Sequence, residues 1–173
     1  MRREWELDDL VDSWTLVDAD RELIANKHGA TKLGFCLLLK FFEIEGRFPR
    51  HAGEVPPAAV EYIARQVKVD PAVFAAYAFT GRTIEYHRRQ IRTALGFREA
   101  THGDRDKLTV WLAEQVCPSE LDPDRQRQAL LAKCRAEQIE PPGRGSIDKI
   151  IGGANRSADE RFCATIVGRP GAA

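Results

Sequence analysis

Thr31-Lys32-Leu33-Gly34-Phe35-Cys36-Leu37-Leu38-Leu39-Lys40-Phe41-Phe42-Glu43-Ile44-Glu45 is the stretch that decides the fold class. Apolar residues recur at Leu33, Cys36, Leu37, Phe41 and Ile44, the one-face spacing of an α-helix. Phe35, Leu38 and Phe42 widen that stripe, which marks a helix at the centre of a core. Gly46 stops it, and Arg47-Phe48-Pro49-Arg50-His51 reads as a basic connector. Next, Pro56-Pro57 opens a helix whose apolar residues are Val60, Ile63, Ala64 and Val67. Asp70-Pro71 is a second start signal, because an Asp cap accepts free backbone N–H groups and Pro at the first helical position sacrifices no hydrogen bond. The helix it predicts carries Val73, Phe74 and Tyr77 and follows the previous one after a turn near Lys68, in helix-turn-helix proportions. Most helix pairs joined by short turns bind nothing, so the pairing alone assigns no function.

Gly81 punctuates again, and Arg82 to Phe97 reads as one long helix. At about 100° per residue, Ile84, Ile91 and Leu95 share a narrow arc, Arg89 and Arg92 project from the polar side, and Arg88 sits at the edge of the stripe as a structural arginine. Residues 99–106 are polar, contain Gly103 and lack apolar periodicity, so the boundary between two subdomains, 1–100 and 101–173, is placed there. Beyond it, Leu108, Trp111, Leu112 and Val116 mark a helix ending before Pro118, and Asp122-Pro123 starts another through Ala129, Leu130 and Cys134. Ser146 is read as the cap of a helix carrying Ile147, Ile150 and Ile151, weakened by Gly152-Gly153, and a last helix carries Phe162, Ile166 and Val167. No run shows sustained strand alternation. The fold class is all-α, with two small helical subdomains of helix-turn-helix-like character.

Composition narrows the function classes. The 173 residues hold 26 Lys+Arg and 26 Asp+Glu, with 43% hydrophobic and 30% charged side chains, a globular balance. The apolar run Leu37-Leu38-Leu39 of the central helix is far short of a membrane span, and Met1-Arg2-Arg3-Glu4-Trp5 turns acidic at once, so no secretory signal is expected there. Cys36, Cys117, Cys134 and Cys163 lie 81, 17 and 29 positions apart, and His28, His51, His87 and His102 show no zinc-ligand spacing. Reduced core cysteines in a cytoplasmic protein, with no metal and no cofactor, are the expectation.

Zero net charge argues against a binder held by bulk charge, yet it hides a polarity. Residues 1–26 carry a net of −5, residues 27–78 a net of +2, and residues 79–98, with Arg82, Arg88, Arg89, Arg92 and Arg98 against Glu85, a net of +4. Arginine makes bidentate contacts with phosphate or guanine, so this helix is a candidate duplex-contacting element; charge alone favours the alternative, a solvated face with some arginines paired to the acidic N-terminus. Gly143-Arg144-Gly145-Ser146 leads into a helix start that suits a phosphate but lacks the Lys-Ser/Thr ending of a nucleotide loop. No serine elbow, paired-His metal motif or dinucleotide loop appears, which leaves a stand-alone enzyme without support.

Gly29-Ala30-Thr31-Lys32-Leu33-Gly34-Phe35 followed by Gly46-Arg47-Phe48-Pro49 resembles the N-terminal region of the Tn-three family of replicative transposases. So do Pro56 through Tyr62-Ile63-Ala64-Arg65-Gln66, then Tyr77 and Gly81-Arg82-Thr83, and last His87-Arg88-Arg89-Gln90-Ile91-Arg92 with Leu95-Gly96-Phe97-Arg98. The likeness is continuous over residues 5–100 and looser from 101 to 168, where Ile139-Glu140-Pro141-Pro142 fits the same region. It implies a helical, bipartite DNA-binding region that recognises a transposon's terminal inverted repeats in a bacterial cytoplasm, nucleoid-associated when bound. In that family an RNase H-like catalytic domain with an acidic triad lies far downstream, so this chain is expected to be no enzyme itself and incomplete at its C-terminal end. Asp8, Asp9, Asp12, Asp18 and Asp20 are therefore read as helix-dipole partners, not metal ligands.

The DNA-contacting residues expected are Arg47, Arg50, Lys68, Arg82 and Arg98 on phosphates, Arg89 and Arg92 in a groove or on the backbone, and Arg144 with Lys149 on an adjacent segment. Other transposase domains or a second protomer are further partners. The competing expectation is a helical protein-interaction domain without direct DNA contact, which would use the acidic N-terminus and exposed apolar surface.

Overall fold

The computed structural model describes residues 5–167, and of Ile166 and Val167 the backbone alone. The expectations placed on residues 1–4 and on the side chains of Ile166 and Val167 lie outside the described residues. The chain forms two compact units that divide between Leu95 and Gly96.

The first unit is built around α3 (Gly29–Glu45). Every residue of α3 from Leu33 to Phe42 is buried, so the stripe read from the sequence closes into a full cylinder. The reason is the number of neighbours: α1 (Leu7–Trp14), α2 (Asp18–Ile24), α4 (Pro57–Val67), a 3-10 helix (Pro71–Ala76) and α5 (Arg82–Ala94) all pack on it. Gly46 ends α3 at φ 70°, a left-handed conformation that a side chain disfavours, and its N–H closes the last turn on the Phe42 carbonyl. Lys40 would be a charge stranded in this core, but its ammonium meets Asp20 at 2.6 Å and Glu43 at 2.8 Å. Burial opposes the charge most strongly, yet those two carboxylates outweigh it and raise the Lys40 pKa. The acids of the first turns act locally as expected: Asp9 and Asp20 accept the N–H groups of Glu6 and Val17 at the starts of α1 and α2.

Three polar contacts fasten α4 to the end of α1. Gln66 donates to the Trp14 carbonyl at 3.1 Å and accepts from the Leu16 N–H at 2.9 Å, and the Tyr62 hydroxyl meets Thr15 Oγ1 at 2.9 Å. Residues 71–76 depart from the sequence expectation, since they form a 3-10 helix rather than an α-helix. In that tighter winding, residues three apart eclipse. Phe74 and Tyr77 thus fall on one side, with rings 6.3 Å apart and nearly parallel, and both are buried. The Asp70 cap is present and accepts from the Ala72 N–H at 2.8 Å.

The second unit holds β1 (Arg98–Glu99), α6 (His102–Gln115), α7 (Pro123–Ala136), β2 (Ile139–Glu140) and α8 (Arg144–Val167). The two strands are only two residues long and pair in parallel, Arg98 with Ile139 and Glu99 with Glu140. They do not alter the class: the fold is all-α. Leu108 and Leu112 of α6, Leu130 and Cys134 of α7, and Ile147 and Ile151 of α8 make the core.

Three expectations are corrected here. The polar stretch 99–106 is largely the first turn and a half of α6, because the Thr101 hydroxyl caps the Asp104 N–H while Asp104 accepts from the Thr101 N–H at 2.8 Å. Ser146 is no cap, because α8 begins two residues earlier and the Gly143 carbonyl already receives the Ser146 and Ile147 N–H groups. Nor do Gly152 and Gly153 divide that helix, which runs unbroken for 24 residues. Gly153 explains itself by closeness, since a methyl group there would stand 3.4 Å from Thr109 Cγ2 of α6. Across the same unit, fully buried Gln126 exchanges hydrogen bonds with Asn155 at 2.9 and 3.0 Å. Each amide satisfies the other, which removes the cost of burying both.

Candidate nucleic-acid interface

The arginine-rich helix α5 divides sharply into two faces. Ile84 and Ile91 are fully buried, and His87 lies beside them. The His87 ring stands edge-on to Phe35 with centroids 5.1 Å apart, and its Nδ1 meets the Tyr77 hydroxyl at 2.7 Å. Burial, with Lys27 nearby, lowers the His87 pKa to about 4, and burial pushes the Tyr77 phenol well above its usual range. Both are therefore neutral near pH 7, and the pair anchors α5 through the 3-10 helix to α3.

The opposite face holds Arg82, Tyr86, Arg89 and Thr93, all exposed. At about 100° per residue these four fall within roughly 60° of one another, directly away from Ile84 and Ile91. Arg82 stands at the first position of the helix, where the positive end of the helix dipole makes a cation unfavourable. Arg89 lies over the Tyr86 ring, 5.6 Å from its centroid, and Gln90 donates to the Tyr86 hydroxyl at 3.2 Å. Neither Tyr86 nor Gln90 was singled out from the sequence, although their spacing to Arg89 was the available signal.

The remaining expected contacts sort by what holds them. Arg92 is buried, contrary to its projected place on the polar side. It lies only about 80° from Ile84 around the helix, and the buried sector extends past Arg88 to include it. Arg88 is half-buried as read, donating to the Pro49 carbonyl at 3.4 Å and lying over Phe48. Arg47 pairs with Glu54 at 2.7 Å and covers the Phe41 ring. Arg98 grips Asp104 through two hydrogen bonds of 2.5 and 2.8 Å. That fork, with the Thr101 contacts, holds the Asp104 carboxyl well below the usual carboxylate range.

Arg50, Lys68, Arg144 and Lys149 are exposed, and, against the burial that pushes the Glu54 carboxyl up, the charge of Arg50 joins Arg47 in holding it below its usual range. Lys68 is the more telling of these. It ends α4 at φ 56°, a left-handed position where glycine is unstrained and a lysine costs about 1 kcal/mol or more. The expected contacts thus sort into three groups: Arg92 is buried while Arg47 and Arg98 are ion-paired, Arg82 and Arg89 share the outer face of α5, and Arg50, Lys68, Arg144 and Lys149 are exposed on other elements. Among the described residues no group of His, Cys, Asp and Glu is gathered to hold a metal ion, and no helix is long and apolar enough to cross a membrane.

Residues 1–154 match the family described as "Domain of unknown function (DUF4158)", and the chain belongs to that family. It is also similar to the transposase for transposon Tn501 of Pseudomonas aeruginosa, at 33% identity over 89 residues. That alignment takes in 51% of this chain and 9% of the transposase, so the chain spans a small part of its relative. The second match is the one that relates part of this chain to a transposase.

Proposed function

We propose that this chain is a duplex-DNA-binding module that recognises the terminal inverted repeats of a transposon, as part of a transposase. The outer face of α5 carries the reading. Arg82 and Arg89 lie about 10 Å apart along one face, with no carboxylate partner among the described residues, on a helix whose inner face is locked into the core. Arg82 opposes the helix dipole, and Arg89 has only the exposed Tyr86 ring to hold it. A partner rich in negative charge accounts for both. The similarity to a transposase supports duplex DNA as that partner. Arg50, Lys68, Arg144 and Lys149 are proposed as phosphate contacts, whereas Arg47, Arg92 and Arg98 are proposed as structural. Catalysis is assigned to other parts of a longer transposase.

A second reading, a protein-interaction domain without DNA contact, is favoured by α1, where exposed Leu7 and Val11 stand one turn apart beside Asp8 and Asp12. Competition binding separates the two. The 173-residue chain is titrated against duplex carrying the inverted repeats that flank its gene and against scrambled duplex, at two salt concentrations. DNA recognition requires at least about a tenfold preference for the repeat and a negative dependence of log K on log salt of about −3 to −5. Equal affinity for both duplexes overturns recognition, and no binding to either leaves the interaction domain.

A further inference from the structure

We propose that Arg89 reads a guanine in the major groove, with its guanidinium forked onto O6 and N7 and Tyr86 acting as its positioning residue. The inference rests on the DNA-binding reading above and goes beyond it to the base that is recognised. A phosphate accepts donors from many directions, whereas the O6 and N7 of a guanine edge lie in one plane and favour a guanidinium already held in an orientation. Of the exposed arginines proposed to contact DNA, Arg89 alone is oriented by an aromatic ring, 5.6 Å from the Tyr86 centroid. The ring is itself held, because its hydroxyl accepts from Gln90 at 3.2 Å and its face tilts against buried His87, 6.5 Å between centroids. A chain of contacts therefore runs from the core through Tyr86 to the guanidinium, while the outward side of Arg89 stays open.

The dimensions agree. From Arg82 to Thr93 the outer face of α5 is about 16 Å long, against a major groove about 12 Å wide. A helix of that length places Arg82 at one phosphate wall when Arg89 is over the base edges. Glu85, the acid of α5, is turned toward Arg88, 3.7 Å away, and so away from that approach.

The test begins with the full chain and a library of randomised duplexes, from which bound sequences are enriched. Each guanine of the enriched site is then replaced by 7-deazaguanine, which removes the N7 acceptor, or by inosine, which keeps both N7 and O6. At one guanine, 7-deazaguanine is expected to weaken binding on the order of tenfold and inosine to leave it nearly unchanged. Arg89→Ala should bind more weakly and lose this sensitivity. Arg89→Lys should restore the salt dependence and keep only part of the discrimination, because an ammonium can reach O6 and N7 but is not oriented in one plane by the Tyr86 ring. Tyr86→Phe should keep the discrimination and Tyr86→Leu should lose much of it. An enriched site to which Arg89→Ala remains as sensitive to 7-deazaguanine as the parent overturns the guanine assignment and leaves DNA binding standing. Failure to enrich any sequence overturns sequence recognition itself, and the assignment with it.

Discussion

The ring of Tyr77 lies so close against Gly34 of α3 that a Cβ at that position would collide with three of the ring carbons. The same tyrosine is buried and hydrogen-bonded to His87, so it has nowhere to move. Gly34→Ala therefore sets two effects against each other. Alanine gains about 1 kcal/mol of helix propensity, while overpacking of a fixed core site costs about 1–3 kcal/mol and sometimes more. The clash with an immobile ring decides the sign. Urea denaturation should show a lower midpoint, and an unchanged or higher one would mean that Tyr77 yields easily.

His87 makes the first unit sensitive to mild acid. Its pKa is lowered to about 4 in the folded state, from 6.5 when unfolded. The unfolded chain therefore takes up the proton first as pH falls, so the contribution is complete above about 6.5 and is lost progressively toward 4. The loss is on the order of 2 kcal/mol. The carboxylates that begin to titrate in the same range are separated out by His87→Asn. The stability difference between parent and variant should narrow between pH 6.5 and 4, and a constant difference would contradict the assignment.

Lys68 offers a separation of stability from binding. Lys68→Gly relieves the left-handed conformation at the end of α4 and is expected to raise stability by about 0.5–1 kcal/mol. Under the proposed function the same change removes a phosphate contact, so DNA affinity should fall and the salt slope lessen by about one. A more stable variant with unaltered DNA binding would remove Lys68 from the interface.

Arg98 and Arg82 should behave in opposite ways. Arg98→Ala leaves Asp104 without its bidentate partner at the start of α6, so the melting temperature should drop and the salt slope of DNA binding should hold. Arg82→Ala, at an exposed first helical position, should leave the melting temperature nearly unchanged and lessen the slope. Reversal of either pattern would exchange their roles.

In α8, Gly152 has nothing near the position of an added methyl group. Gly152→Ala should stabilise the second unit by about 1 kcal/mol, and Gly153→Ala by less, because its methyl meets Thr109. Thermal melting of both variants checks the order.

Much of this fold was legible because apolar spacing and start signals agree. The stripe of residues 31–45, the prolines before α4 and the Asp122-Pro123 start all carry their own local physics. The 3-10 helix at Pro71–Ala76 was not legible, because what selects it is the fit of Phe74 and Tyr77 against α3 rather than any propensity of its own. The Thr101 capping box was present in the sequence but obscured by the polar residues around it. The continuity of α8 through two glycines depends on the approach of α6, which no local pattern encodes. At the candidate interface, counting charge located the helix, yet it could not separate Arg89 from Arg92. One turn of the helix, almost, divides them, and only the width of the buried sector assigns one to water and the other to the core.

The cysteines give the molecule a reporter for each half. Cys36 lies in the first unit, with burial pushing its thiol up to about 12, and Cys134 in the second, pushed up to about 11. Neither can react as a thiolate with an alkylating reagent while its own unit stays closed, whereas Cys163 is exposed and reacts at once. The rate at which each buried thiol becomes labelled therefore times the opening of one unit independently of the other. Repeating the measurement with DNA bound would give the protection conferred on each half, from a single unmodified chain.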